Sequence, residues 1–289
     1  MWQWRIFRTI ARQPRLPSKM SGWIILLLVG MSWSGCTVQS SISNHYLTAE
    51  KLWTEKNYPA AVSEFDFVVK ESPNSAIGLQ SLWRAAMTRE LFLGQSEDAL
   101  RNFELFLERA GGSDLAPQAQ LEIGEILFSK LAQYPKAIEH YQRLLEQKKF
   151  SHDEESKFVY RIARGYFLTN QIRKAQEWYE RGLKNYGDSS LVPKFKYDLA
   201  NTWYALGETD KSAYAKALKV FQELGQSTKS TDHRLYVQSL FGEAATLEEM
   251  DEFEKAYSLF SAIQADYPAP NVIKVRMLRL SERMKKKRK

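Results

Sequence analysis

The chain has 289 residues, of which 44% are hydrophobic and 13% aromatic, with 41 basic and 34 acidic residues for a net charge of +7. The excess sits at the two ends: five cations lie in the first 35 residues and six in Arg283–Lys289, while residues 36–282 hold 30 basic against 34 acidic, net −4. A nucleic-acid binder carries its cations on a folded face, so that class is excluded.

In chain order, the first element is an apolar run, "GWIILLLVGM" at 22–31. It is shorter than the roughly 17–25 residues that a spanning helix needs. Arg5, Arg8, Arg12, Arg15 and Lys19 precede it without an acid, and small Ser34 and Gly35 follow, directly before Cys36. A basic segment, an apolar core and small residues make a secretory signal. Residues 1–35 are therefore expected to be a signal peptide, with Met1 or Met20 as its start. Polar "TVQSSISN" then reads as a tether over 36–44.

"WSGC" resembles the lipobox of bacterial lipoproteins, with Trp33 where that family usually has an aliphatic residue. The resemblance implies acylation of Cys36 and a mature protein anchored to a membrane without crossing it. Several acyl chains hold stably where one holds marginally. Thr37 stands where an Asp retains many such lipoproteins at the inner membrane, so the resemblance implies the outer membrane, facing the periplasm.

From residue 45 a unit repeats. Ala61, Ala99, Ala137, Ala175, Ala217 and Ala256 stand in "YPAAVSEF", "SEDALRNF", "YPKAIEHY", "IRKAQEWY", "YAKALKVF" and "FEKAYSLF", spaced 38, 38, 38, 42 and 39 apart. An aromatic follows each alanine by four residues: Phe65, Phe103, Tyr141, Tyr179, Phe221 and Phe260. Positions i and i+4 share a helical face, so the alanine admits a preceding helix and the aromatic fills the space beside it. Three residues on come Val68, Phe106, Leu144, Leu224 and Ile263, with Gly182 as the exception. Pro59 and Pro135 open second helices, where a missing N–H costs nothing. Upstream lie first helices such as "VYRIARGYF" and "DLANTWYAL", and the fifth unit carries an insertion, "GETDKSAYA".

This unit resembles the tetratricopeptide repeat, with Trp83, Gly124, Ala163, Tyr166 and Ala200 at matching first-helix positions and Pro73 and Pro268 as closing prolines. The resemblance implies an all-α solenoid of about six helix–turn–helix units over 45–270. Residues 271–289 add a capping helix, with Val272, Val275 and Leu278 as its expected packing face, and a basic tail. The tail reads as a solvated terminus or as a contact for anionic head groups or an acidic partner.

No chemistry stands out. His45, His140, His152 and His233 are scattered with no second cysteine, so no metal ligand set is expected. "SHDEES" at 151–156 reads as a helix start rather than a cation site. No G-x-S-x-G, Walker or G-x-G-x-x-G motif occurs, so neither catalysis nor a cofactor is expected. A solenoid offers instead a concave wall of first helices. Registered on the alanines, Arg84, Lys157, Tyr160, Arg164, Phe167, Tyr197, Asn201 and Tyr204 line that wall. They serve either as a peptide-holding strip or as packing between neighbouring first helices. Lys157 and Arg161 also resemble the Lys-x-x-x-Arg pair of chaperone-binding carboxylate clamps, but Thr88 and Ile123 stand where that family has asparagines.

A lipobox before long-period repeats, with "ESPNSA" at 71–76, resembles the lipoprotein of the outer-membrane β-barrel assembly machinery (BamD-like). That implies a non-catalytic scaffold for envelope proteins and barrel precursors. An adaptor in a peptidoglycan, division or surface-motility complex is the other reading. Both take protein partners.

Overall fold

The computed structural model describes residues 33–287, with side chains from Ser40 onward, and the chain divides into two units, residues 1–44 and 45–289. Most of the expected signal peptide, and the side chain of Cys36, lie outside the described residues. In the first unit, the expected tether runs as helix from Trp33, since no Gly or Pro interrupts residues 36–44.

The second unit contains no strand among the described residues and is built from helical hairpins. The elements are α1 (Trp33–Thr54), α2 (Tyr58–Glu71), α3 (Ala76–Thr88), α4 (Ser96–Ala110), α5 (Ala116–Glu125), α6 (Tyr134–Gln147) and α7 (His152–Leu168). They continue with α8 (Ile172–Asn185), α9 (Val192–Leu206), α10 (Ser212–Thr228), α11 (His233–Glu249), α12 (Phe253–Ile263) and α13 (Pro270–Lys287). Odd-numbered helices up to α11 are the first helices of six hairpins and even-numbered ones the second. From α2 onward each packs on the next, α9 also touches α7 and α11, and α1 meets α2 through Tyr46 and Ala49 against Ala61 and Phe65.

All six anchor alanines have no exposed surface, and the aromatics four residues on are buried behind them. Val68, Phe106, Leu144, Leu224 and Ile263 are buried as well. Burying each such side chain contributes about 1.5–3 kcal/mol. The exception at Gly182 has a steric cause: a Cβ there would lie 2.2 Å from the Phe195 ring of the next first helix. Phe195 is fully buried and takes the volume that a leucine or valine supplies in other units.

The hairpin turns share one geometry. Five residues before the alanine stands a left-handed residue in five of six units: Lys56 (φ 63), Gly94 (φ 64), Ala132 (φ 50), Asn170 (φ 58) and Asp251 (φ 60). The next residue opens the second helix, and its carbonyl accepts from the alanine N–H at 2.9–3.0 Å. Its own N–H bonds back five residues in three units, Asn57 to Leu52, Gln171 to Tyr166 and Glu252 to Leu247. In the second and third units it bonds back six, Gln95 to Arg89 and Gln133 to Leu127. There α3 and α5 end in π-helical turns, Arg89–Leu93 and Ile126–Lys130, which absorb one extra residue without changing the turn. The fifth unit has no left-handed residue; its insertion becomes an added first turn of α10, where Tyr214 is buried against Gly207.

The last helix corrects one expectation. α13 buries Ile273 and Leu280, with Met277 and Met284 packed beside them, and leaves Val272, Val275 and Leu278 exposed. Two apolar stripes run along this helix. The one at 273, 277, 280 and 284 spans three turns and docks, whereas the stripe at 272, 275 and 278 spans fewer than two. The tail is helical to Lys287 rather than a loose terminus, and Arg283 lies over Phe253 at 4.3 Å.

Gly182→Ala is expected to lower stability by about 1–3 kcal/mol through overpacking, with part of the loss recovered by Phe195→Leu. Equal costs in both backgrounds, measured by urea denaturation, would show that Phe195 does not set this position. Ala132→Gly should raise stability by up to about 1 kcal/mol, because left-handed strain of roughly 1–2 kcal/mol outweighs a glycine entropy cost of about 0.5–1 kcal/mol. A lowered urea midpoint would contradict that balance.

Candidate functional site

The first helices meet through buried and half-buried ion pairs, and the centre of the wall is Asp198 on α9. Asp198 is only 4% exposed. Its carboxylate accepts from the Tyr160 hydroxyl at 2.7 Å and from the Arg164 guanidinium at 3.1 Å, both on α7. Tyr160 and Arg164 lie one turn apart on one face, so a single acid on the neighbouring helix serves both. Burial raises the Asp198 carboxyl above its ordinary range, and Arg164 and Tyr160 offset this in part. Burial, and then the Asp198 charge, pushes the Tyr160 hydroxyl up. The ring of Tyr179 packs behind this cluster, 6.2 Å from that of Tyr160.

The same device recurs along the solenoid. Arg84 on α3 grips Glu50 on α1 through two bonds of 2.7 Å and lies 4.5 Å over the Trp53 ring. Arg161 on α7 donates to both oxygens of Glu125 on α5 at 3.0 and 2.8 Å, and lies 4.6 Å over Phe128. Arg276 on α13 donates to Glu248 on α11 at 2.8 Å and faces Phe241 at 5.5 Å. Each guanidinium is paired with a carboxylate on another helix and lies 4.5–5.5 Å from an aromatic ring, a combination for which arginine is better suited than lysine.

The residues singled out from the sequence therefore divide. Tyr160 and Arg164 converge on Asp198, whereas Arg84 belongs to a separate bridge near the first hairpin. Phe167 is half-buried, 6.0 Å from Arg164. Tyr197 meets Phe221 edge-on at 5.9 Å, Asn201 donates to the Tyr197 carbonyl at 3.0 Å, and Tyr204 lies 5.8 Å from Tyr214. Lys157, one turn before Arg161, is exposed and forms no ion pair among the described residues. Arg161 is occupied by Glu125, and Thr88 is buried and donates to the Arg84 carbonyl at 2.7 Å. The clamp pair is thus not presented as a pair. Asp198, Glu50, Glu125 and Glu248 went unread in the sequence, although the first three lie 34–36 residues from their arginines, close to one repeat.

Ser151 caps α7 through a reciprocal box with Glu154, which accounts for "SHDEES" as a helix start. Among the described residues no group of three or more His, Cys, Asp or Glu could hold a metal ion. His140 is buried and bonds the Gln120 carbonyl at 2.8 Å, and burial lowers its pKa.

The folded state holds the Asp198 proton more tightly than the unfolded chain, whose carboxyl titrates near about 3.9. Its contribution is therefore most favourable below the unfolded value and is lost as pH rises through the folded one. Asp198→Asn should flatten stability against pH in that window, measured as urea midpoints; an unchanged profile would mean that Asp198 does not titrate with folding. Arg164→Gln should cost about 3–5 kcal/mol at neutral pH by leaving a buried carboxylate short of its cation.

Comparison with known proteins bears on the fold. Residues 85–152 match the tetratricopeptide repeat family. No curated protein is detectably similar in sequence. PilW, a widely conserved type IV pilus biogenesis factor, is similar at a TM-score of 0.52 with 14% identity, over 81% of this chain and 97% of PilW. The apo form of RapI is similar at 0.53 with 14% identity, over 84% of this chain and 75% of RapI. The C-terminal part of a TPR repeat-containing protein from Cytophaga hutchinsonii is similar at 0.53 with 16% identity, over 81% of this chain and 95% of that one. The helical hairpins of this chain thus form a tetratricopeptide-repeat-like solenoid, with the repeat itself matched over residues 85–152.

Proposed function

We propose that the protein is a non-catalytic scaffold, anchored by lipid on Cys36 to the outer membrane and facing the periplasm, that holds other envelope proteins together. The observation that carries this reading is the wall of stacked first helices. Its ion pairs are satisfied internally, while the aromatics Phe167, Tyr197 and Tyr204 stay half-exposed and Lys157 is exposed. A rigid wall with aromatic edges suits an extended peptide or a partner helix, because little order is lost on binding. The signal pattern before Cys36 supports the anchor, and the likeness of the repeats to the β-barrel assembly lipoprotein supports a role in outer-membrane protein assembly.

A second reading has its own support. PilW, whose fold this chain shares over 97% of PilW, is a type IV pilus biogenesis factor. That favours an adaptor in a surface-motility complex, with the same anchor and the same wall.

Depleting the protein and quantifying outer-membrane β-barrel proteins by mass spectrometry separates the two. A broad fall with periplasmic precursors accumulating is expected for barrel assembly, and an unchanged barrel profile would remove that reading. Cys36→Ser should move the protein out of the membrane fraction; equal membrane content in both forms would sink the anchor. Lys157→Glu with Asn201→Ala keeps the Tyr160 and Arg164 bonds to Asp198 and should weaken capture of a crosslinked partner about tenfold, ~1.4 kcal/mol. Undiminished capture would take the wall out of consideration.

A further inference from the structure

The outer face of α13 is apolar along its centre and cationic along both edges. Val272, Val275 and Leu278 are 46%, 49% and 64% exposed. Helical spacing places Lys274 on one side of Val275 and Leu278 and Arg279 on the other, and Lys285 and Lys286 continue these two edges toward the tail past Glu282. All four are exposed, and none forms an ion pair among the described residues. The other cations of the helix turn inward: Arg276 bonds Glu248, Arg283 bonds Asp251 at 3.2 Å, and Lys287 donates to the Asp251 carbonyl at 3.3 Å. Three cations thus fasten α13 to the solenoid while four flank a strip that nothing in the solenoid covers. The one acid on this face, Glu282, lies beyond the strip toward the tail.

We propose that this face docks on a bilayer surface rich in anionic phospholipid. An apolar strip with cations on both edges fits an interfacial helix, in which the strip enters the acyl boundary and the long cationic side chains reach the phosphates on either side. A plane of uniform negative charge satisfies cations on both edges at once, whereas an acidic partner helix meets one edge. The charge balance agrees, since residues 36–269 hold 27 basic against 33 acidic residues, net −6, while residues 270–289 hold 9 basic against 1 acidic, net +8. The inference rests on α13 and not on acylation of Cys36.

The test uses the full chain carrying Cys36→Ser, so that no lipid contributes, and sedimentation with phosphatidylglycerol-containing or pure phosphatidylcholine vesicles. Residues 1–35 bring an apolar run and five cations of their own, so the readout is the change in anionic preference between this chain and its last-helix variants. Binding to the anionic vesicles should exceed binding to the neutral ones by at least about tenfold and fall in high salt. Val275→Glu with Leu278→Glu should lower that preference severalfold while leaving the thermal melt unchanged, because both side chains are exposed. If that variant misfolds, Lys274→Gln, Arg279→Gln, Lys285→Gln and Lys286→Gln together keep the test. Equal binding to both vesicles, or a preference equal in the parent chain and the variants, would overturn the proposal. So would a wild-type dimer in sedimentation velocity that the Val275 and Leu278 changes dissolve while vesicle binding stays the same.

Discussion

Six alanines without exposed surface fix how near the two helices of each hairpin can come, and the rest of the second unit is built around that approach. A larger side chain at any of them would separate the helices and uncover the aromatic four residues on. The aromatic in turn projects toward the neighbouring first helix, which must give way to it. Gly124 faces Tyr141, and Gly242 faces Phe221, at distances that no Cβ tolerates. Where the second helix supplies the small residue instead, as at Gly182, the following first helix supplies the large one, Phe195. Volume is conserved across the contact rather than at a position, as expected where interiors are close-packed.

The turns hold this contact in register. A left-handed residue five places before the alanine reverses the chain, and the backbone bond that closes it stretches from five to six residues where a π turn lies upstream. Side chains contribute little there: the opening residues Asn57, Gln95, Gln133, Gln171 and Glu252 form no capping bond of their own. Backbone geometry alone sets these ends. Gly94, and to a lesser degree Asn170 and Asp251, are residues that such a conformation favours, whereas Lys56 and Ala132 are not.

This explains what could be read from the sequence. The alanine and aromatic period declared the hairpins, their number and the face that each second helix buries, because a burial constraint restricts residue type at every repeat. The turns left a weaker mark, since Gly94, Asn170 and Asp251 suit the left-handed conformation but Lys56 and Ala132 take it as well. On α13 the sequence offered two apolar stripes. Periodicity alone did not choose between them, and the longer one with its two methionines docks. The candidate wall was legible as a set of positions and illegible as a set of bonds. Tyr160 and Arg164 stood out as an aromatic and a cation on one face, but Asp198 looked like an ordinary helix residue. Its role depends on a neighbour 34 residues away, and a search for opposite charges one repeat apart would have found it together with Glu50 and Glu125.

Those ion pairs also decide what the wall can offer a partner. A solenoid held only by apolar contacts between neighbours can bend at every repeat. Bridges between first helices, with Arg84, Arg161, Arg164 and Arg276 each held by an acid and an aromatic, resist that bending on the side where a ligand would lie. The cations most conspicuous in the sequence are therefore committed to the wall's own geometry. What stays open to a partner is mainly the aromatic edges and Lys157. On the proposed reading, recognition by such a surface would depend on shape and aromatic contact more than on charge, whereas on the last helix four exposed cations stay without an ion pair among the described residues.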